Sequence, residues 1–138
     1  MIAVVWDGAL SGGEALEGLN NAATLGSNLI ILINDNDMSI AENHGGLYEN
    51  LRLLRETNGK AQCNLFRALG FDYRFVRDGN DFTEIANALE KAKNADHPVV
   101  IHMCTVKGKG MSFSLILTIL TGCMRTHVVS FVLPQRKR

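Results

Sequence analysis

Residues 2–8 read IAVVWDG and residues 29–36 read LIILINDN, and these two stretches decide the fold of the chain. Their apolar parts, Ile2–Trp6 and Leu29–Ile33, predict two buried, neighbouring parallel strands. Carboxylate and carboxamide side chains follow each strand at once. We therefore expect these polar groups to lie together at the carboxyl edge of one sheet, where open α/β folds bind their ligands.

The polar groups after the two strands suit a hard metal ion. An Asp oxygen, an Asn oxygen and a backbone carbonyl form an oxygen-only half-shell, and Mg²⁺ bound to a diphosphate would complete it. We predict Asp7 as a direct Mg²⁺ ligand, although Asp-Gly is also a common turn pair. Asn36, rather than Asn34, is the predicted second ligand, and the Met38 carbonyl is the third. The alternative role for Asn34 and Asp35 is simply to shape the turn.

The glycine-rich stretch after the first strand suits a diphosphate. Gly8 and Ala9 would let the main chain come close to the phosphates and donate its N–H groups. The positive end of a helix starting at Gly12-Gly13 would add to this attraction. Lys107 and Lys109 would face a phosphate or simply lie in an exposed loop, and His102 is expected to be a packed core residue. We assign no catalytic residue.

Strands and helices alternate along residues 1–110, which predicts an open, doubly wound, mostly parallel α/β sheet. The helix with a Ser11–Glu14 capping box is expected to stop at Gly26, and a later helix carries Phe82, Ile85, Ala86 and Leu89 on its inner face. That later helix runs from a cap at Asp81 to about Lys93. The remaining predicted elements are helices over about Leu47–Glu56 and over Cys63–Leu69, closed by Gly70, and strands Tyr73–Val76 and Pro98–Met103.

Composition excludes several classes of protein. Fourteen basic residues balance fourteen acidic ones, so no global field attracts nucleic acid or an anionic membrane. The three cysteines have no zinc-site spacing, and an odd number of them without a signal peptide predicts reduced thiols in the cytoplasm. Cys63 and Cys104 are expected to be small core residues.

Residues 111–138 form a second, divergent region. Met111–Met124 is largely apolar but shorter than the roughly 20 residues of a membrane span, and Gln135–Arg138 is a basic, solvated end. A shift of reading frame would account for this change. One codon choice for Ile119–Thr126, read one base earlier, gives Pro-Asp-Trp-Met-His-Ala-His.

Several segments of residues 1–110 resemble the 1-deoxy-D-xylulose-5-phosphate synthase family, whose members are transketolase-like thiamine-diphosphate enzymes. The frame-shifted reading of the tail also looks more like that family's continuation. The matching segments, in order, are Asp7–Gly13, Leu19–Ala22, Ile33–Ile40, Asn64–Phe71, Asp78–Asp81 and His102–Gly110. The resemblance implies thiamine diphosphate and Mg²⁺ as cofactors. It also implies Asp7, Asn36 and the Met38 carbonyl as metal ligands, with Gly8 and Ala9 on the diphosphate. The family joins pyruvate, after loss of CO₂, to glyceraldehyde 3-phosphate, and its product feeds isoprenoid, thiamine and pyridoxal synthesis.

The chain departs from the family pattern in four ways. Trp6 stands where the motif has its first glycine, Met111 replaces a usual tyrosine, and the connection from Glu56 to Asn64 is shorter than in many members. The upstream histidines and the downstream domain that complete a site are absent, so a homodimer or a complementary subunit is expected. The chain is then a cofactor-binding part that is inactive alone, a subunit of a split transketolase-like enzyme, or a degenerate remnant that binds nothing.

Overall fold

The chain forms an α/β domain. Its computed structural model describes residues 1–38 and 43–110. Within these ranges a four-stranded sheet has the order β1-β2-β4-β3, and all its strand pairs are parallel. The elements are β1 (Ile2–Trp6), α1 (Asp7–Leu10), α2 (Gly13–Ala22), β2 (Ile30–Asp35), α3 (Gly46–Glu56), α4 (Leu65–Leu69), β3 (Asp72–Val76), α5 (Phe82–Ala92) and β4 (Val99–Cys104). The predicted parallel α/β sheet is confirmed, whereas the predictions for residues 111–138 lie outside the described residues.

The register brings the strand ends to one edge, as expected. Trp6 of β1 pairs with Asn34 of β2, and Asp35 of β2 pairs with Cys104 of β4. Residues that follow these strands therefore meet at the carboxyl edge of the sheet.

The sheet is covered on both faces, which explains why the first four residues of β2, Ile30–Ile33, are all apolar. Ile31 and Ile33 belong to a core cluster that includes side chains of α2, α3 and α4. Ile30 and Leu32 belong to a second cluster, which includes Ala92 of α5. Because successive side chains of a strand point to opposite faces, α5 lies across the sheet from α2, α3 and α4.

Two expectations for α2 are wrong. Its N-cap is Gly12, which makes no side-chain cap, and the hydroxyl of Ser11 instead lies 2.7 Å from the Tyr48 hydroxyl. The helix also ends at Ala22, four residues before Gly26. The N–H of Leu25 donates to the Ala22 carbonyl, so a tighter i→i−3 turn finishes the helix earlier than a glycine would.

Two side chains expected inside the protein are exposed. Cys63 lies just outside α4, because the helix starts two residues later than predicted, after its N-cap Asn64. Phe82 begins α5 and is 84% exposed, whereas Ile85 and Leu89 pack against the core as expected. The predicted Gly70 stop and Asp81 cap are confirmed.

The connection between α3 and α4 is a compact turn. Asn58 and Gly59 both adopt left-handed backbone conformations, with φ of 51° and 74°. The N–H of Gly59 donates to the Leu54 carbonyl at 2.7 Å, which closes the end of α3.

Candidate metal and cofactor site

The carboxylate of Asp7 is the centre of the candidate site. Asp7 follows β1 directly as the first residue of α1 and is fully buried. Its Oδ2 accepts hydrogen bonds from the Met38 N–H at 3.1 Å and from Asn43 Nδ2 at 3.0 Å. Its Oδ1 is buried and has no hydrogen-bond partner within the described part of the chain. A buried carboxylate is therefore held by neutral donors, with one oxygen left unsatisfied.

The turn after β2 brings two further predicted ligands to this carboxylate. The Met38 N–H that contacts Asp7 also donates to Asn36 Oδ1 at 3.1 Å. Asp37 between them is left-handed, with φ of 60°, and its N–H donates to Asp35 Oδ1. The structure therefore places Asp7, Asn36 and Met38 together.

Of the two residues expected to shape the turn, Asp35 does so through its Oδ1, which accepts from the Asp37 N–H, whereas Asn34 has another role. Both belong to β2, which runs two residues further than predicted. The Thr105 hydroxyl donates to Asn34 Oδ1 at 2.5 Å, so this side chain ties β2 to the residue after β4.

Asp35 is the centre of a buried polar chain that the sequence reasoning missed. Its Oδ2 lies 2.8 Å from His102 Nε2, and His102 Nδ1 lies 2.8 Å from the Tyr73 hydroxyl. Arg55 Nη1 donates to both Asp35 oxygens. His102 is a packed core residue, as predicted. A histidine inside an apolar strand, paired with a strand that ends in Asp, was the available signal for this chain.

The pKa values of the two buried carboxylates are shifted in opposite directions. Burial raises the pKa of Asp7, and the negative charge of Asp35 raises it further. Burial would also raise the pKa of Asp35, but the hydrogen bonds and charges of His102 and Arg55 outweigh it, so this pKa is lowered. Asp35 is therefore a compensated charge, whereas Asp7 lacks a cation among the described residues.

A cleft of about 570 Å³ lies at the carboxyl edge beside these groups. Four predicted site residues line it, together with Trp6, which is 56% exposed. Gly79 lies against the end of β4, where a Cβ would come within 2.8 Å of the Cys104 carbonyl oxygen. The lining residues are Trp6, Gly8, Ala9, Asn34, Asn36, Met38, Gly79, Asn80, Met103, Thr105, Val106, Lys107 and Gly108.

The two lysines after β4 differ in position. Lys107 lines the cleft. Lys109 donates to both oxygens of Asp78 at 3.1 Å, and this hydrogen bond lowers the pKa of Asp78. Lys109 is thus engaged with the β3–α5 loop, and Lys107 is the one that borders the cleft.

The sequence and the fold both match known proteins. The family model of 1-deoxy-D-xylulose-5-phosphate synthase matches residues 1–64 and 55–105. The chain belongs to this family. The synthase of Listeria monocytogenes is 42% identical over 116 residues, covering 80% of this chain and 19% of the relative. That of Myxococcus xanthus is 42% identical over 110 residues, covering 80% and 18%. The chain therefore spans about a fifth of the length of these relatives.

A solved structure supports the fold alone. A transketolase from Pichia stipitis, in complex with sedoheptulose 7-phosphate, matches with a TM-score of 0.54 and 24% identity. The match covers 75% of this chain and 14% of that chain. The described residues thus form an incomplete domain with the transketolase-like fold. None of the helices in these residues is long and apolar enough to cross a membrane.

The family match is divided at one place. Its two segments overlap at residues 55–64, where the turn between α3 and α4 lies. The alignment to the Porphyromonas gingivalis synthase, 35% identical, runs over 149 residues but draws on only 81% of this chain. That relative therefore has residues with no counterpart in this chain.

Proposed function

We propose that this chain is the thiamine-diphosphate- and Mg²⁺-binding part of a 1-deoxy-D-xylulose-5-phosphate synthase. The observation that carries the proposal is the unsatisfied Oδ1 of the buried Asp7. A buried charge without a partner is costly, and a divalent cation would provide that partner. The same cation would also bind the amide oxygen of Asn36 and the backbone carbonyl of Met38, which are suitable ligands for Mg²⁺.

The residues at this edge fit both the Mg²⁺ ion and the diphosphate group of the cofactor. Asp7, Asn36 and the Met38 carbonyl would hold Mg²⁺. Gly8 and Ala9 lie in the first turn of α1, whose N–H groups have no backbone carbonyl partner inside the helix and would donate to the diphosphate. Thiamine diphosphate, when bound, supplies the stabilised carbanion for joining pyruvate-derived carbon to glyceraldehyde 3-phosphate.

The role of this chain is binding and orientation. It would form one wall of the site, and the opposite wall would come from a second copy or from a complementary subunit. Without that wall we expect no turnover from the chain alone. A subunit of a split transketolase-like enzyme is the closest variant of this proposal, and a cytoplasmic location is expected for both.

One observation favours a different function class, a remnant that binds no cofactor. Trp6 occupies the position of the motif's first glycine, and its ring borders the cleft. A bulky ring there would narrow the entry of the diphosphate.

A titration separates the two proposals. Trp6 is the single tryptophan of the chain, so its fluorescence reports on the cleft directly. Thiamine diphosphate is added with Mg²⁺ or with a chelator, and calorimetry on the same samples measures the heat. Cofactor binding predicts a saturable, Mg²⁺-dependent change that Asp7→Asn abolishes. A matched control is Asp96→Asn, because the side chain of Asp96 is 95% exposed. A folded protein that gives neither signal at millimolar cofactor supports the remnant and contradicts the proposed function.

A further inference from the structure

We infer that Arg55 is a positioning residue for the candidate metal site, acting through the two carboxylates that flank Asn36. This inference rests on the proposed function, because it concerns the same turn and the same cation. Arg55 touches none of the predicted ligands in the described contacts, so its role would be indirect.

The guanidinium of Arg55 spans both carboxylates. Nη1 donates to the Asp35 oxygens at 2.9 and 2.7 Å, and Nη2 donates to Asp37 Oδ1 at 2.6 Å. The side chain of Arg55 is only 18% exposed and that of Asp35 is fully buried. A planar fork with several donors can hold two carboxylates at once, whereas the ammonium of a lysine is a single point charge.

The contacts of Arg55 hold a backbone conformation that is otherwise unfavourable. Asp37 is left-handed, with φ of 60°, and such a residue persists only where its surroundings over-determine it. Two contacts do so, the bond from the Asp37 N–H to Asp35 Oδ1 and the ion pair with Arg55. Asn36 lies between these anchored residues and Met38 directly after them, so the turn aims both predicted ligands at Asp7.

The far side of the network prevents Asp35 from moving. His102 Nε2 lies 2.8 Å from Asp35 Oδ2, and the Tyr73 hydroxyl lies 2.8 Å from His102 Nδ1. With the Asp35 carboxylate acting as acceptor, His102 donates through Nε2 and accepts from Tyr73 through Nδ1. The carboxylate is thus fixed from β3 and β4 as well as from α3, and Arg55 connects this fixed point to Asp37.

Arg55 also makes the two buried carboxylates at this edge of the sheet electrostatically different. It compensates Asp35, which leaves Asp7 as the buried carboxylate that a cation would satisfy. A divalent ion would then bind to Asp7 rather than to Asp35. The positioning role and the charge role both require the guanidinium to remain between Asp35 and Asp37.

The test compares Arg55→Lys with Arg52→Lys. Both residues belong to α3 and form ion pairs, but Arg52 contacts Glu49 and Glu56 on the exposed surface. Each variant keeps its charge and loses the fork. Amide hydrogen exchange of Asp37 and Met38 is measured by NMR without any ligand, with the amide of Leu32 in β2 as the internal reference for global stability. Thiamine diphosphate binding in the presence of Mg²⁺ is then measured by calorimetry.

We expect Arg55→Lys to accelerate exchange of the Asp37 and Met38 amides about tenfold while the Leu32 amide is unaffected, since only the turn opens. Mg²⁺-dependent cofactor binding should weaken by about tenfold to a hundredfold, as is usual when a group supporting a metal ligand is removed. Arg52→Lys should change neither quantity. A merely structural role would accelerate all three amides together.

The outcomes distinguish this inference from the proposed function. If the parent chain binds the cofactor and Arg55→Lys binds it equally well, the inference is overturned and the function stands. Unchanged exchange at Asp37 and Met38 overturns it as well. If the parent chain does not bind at all, the proposed function fails and the role of Arg55 toward a metal fails with it.

Discussion

The carboxylate of Asp7 accepts a hydrogen bond from the backbone N–H of Met38 at 3.1 Å, across 31 residues of sequence. This bond joins the end of β1 to the turn after β2, so the two segments that carry the predicted ligands are connected before any ligand binds. It uses only Oδ2, and Oδ1 stays buried without a partner in the described chain. The site is therefore organised at a cost in stability, which a bound cation would remove.

Asp7→Asn should stabilise the unliganded chain and abolish Mg²⁺-dependent cofactor binding. The substitution removes a buried uncompensated charge, and its amide oxygen still accepts from Met38 and Asn43. We expect a gain of about 1 kcal/mol in the free energy of unfolding, measured by urea denaturation without metal. A loss of stability in the absence of metal would show that the carboxylate is already satisfied.

The stability difference between the parent chain and Asp7→Asn should depend on pH. Burial holds the folded pKa of Asp7 above its ordinary 3.8, so the parent chain gains stability as the pH falls through that folded pKa toward 3.8. The pKa of Asp35 is lowered, so its contribution is retained above 3.8 and lost only as the pH falls through its lower folded value. The advantage of Asp7→Asn should therefore be larger at about pH 7 than at about pH 4.5. Equal differences at both pH values would contradict the raised pKa.

Tyr73→Phe should destabilise the protein through the buried polar chain. The ring keeps its stacking on Phe66, at a centroid distance of 5.7 Å, but His102 Nδ1 loses its partner. An unsatisfied buried acceptor costs about 1–3 kcal/mol, measurable by denaturation. The matched control is Tyr48→Phe, whose hydroxyl contacts the exposed Ser11, and it should change stability by no more than about 0.5 kcal/mol. An equal loss of stability in the two variants would show that the hydrogen bond to His102 does not stabilise the protein.

The order of elements was predictable because it depends on local pattern. The continuous apolar run of β2 indicated a strand buried on both faces. Because parallel strands end at the same edge of a sheet, the acidic residue after β1 was expected to meet the turn after β2. Parallel register then brings Asp7 and Asn36 to one edge. The Asp81 cap and the Gly70 stop were predictable for the same reason, since each is determined by its immediate neighbours.

The polar chain was not predictable from pattern, because its members come from different elements. Asp35 is read locally as a turn residue, and Arg55 as one more charge on an amphipathic helix. Their contact spans 20 residues and exists only once α3 packs on the sheet. The prediction of a buried Phe82 was wrong for a similar reason, since periodicity assigns a face of a helix but does not show that its first residue, here Phe82, is exposed.

Cys63 and Cys104 should differ in reactivity. Cys63 is exposed, whereas burial and the nearby charge of Asp35 raise the pKa of the Cys104 thiol to about 11. Since the thiolate is the reactive form, iodoacetamide at about pH 8 should modify Cys63 rapidly and Cys104 slowly. Peptide mass spectrometry gives the rate at each site, with Cys63→Ser as the control. Equal rates would place Cys104 in a more open environment than the structure shows.

Gly59→Ala should test the short connection between α3 and α4, where the family match is divided. Gly59 has φ of +74°, and an added Cβ would lie 2.6 Å from the Cβ of Phe75. Both the strain and the overlap act against alanine, so we expect a loss of about 2–4 kcal/mol in the free energy of unfolding. Gly18→Ala is the matched control, because Gly18 lies inside α2 with nothing within 4 Å, and it should gain about 0.5–1 kcal/mol. A neutral Gly59→Ala would mean that the turn relaxes easily, and that the shortened connection does not constrain how α3 presents Arg55 to the site.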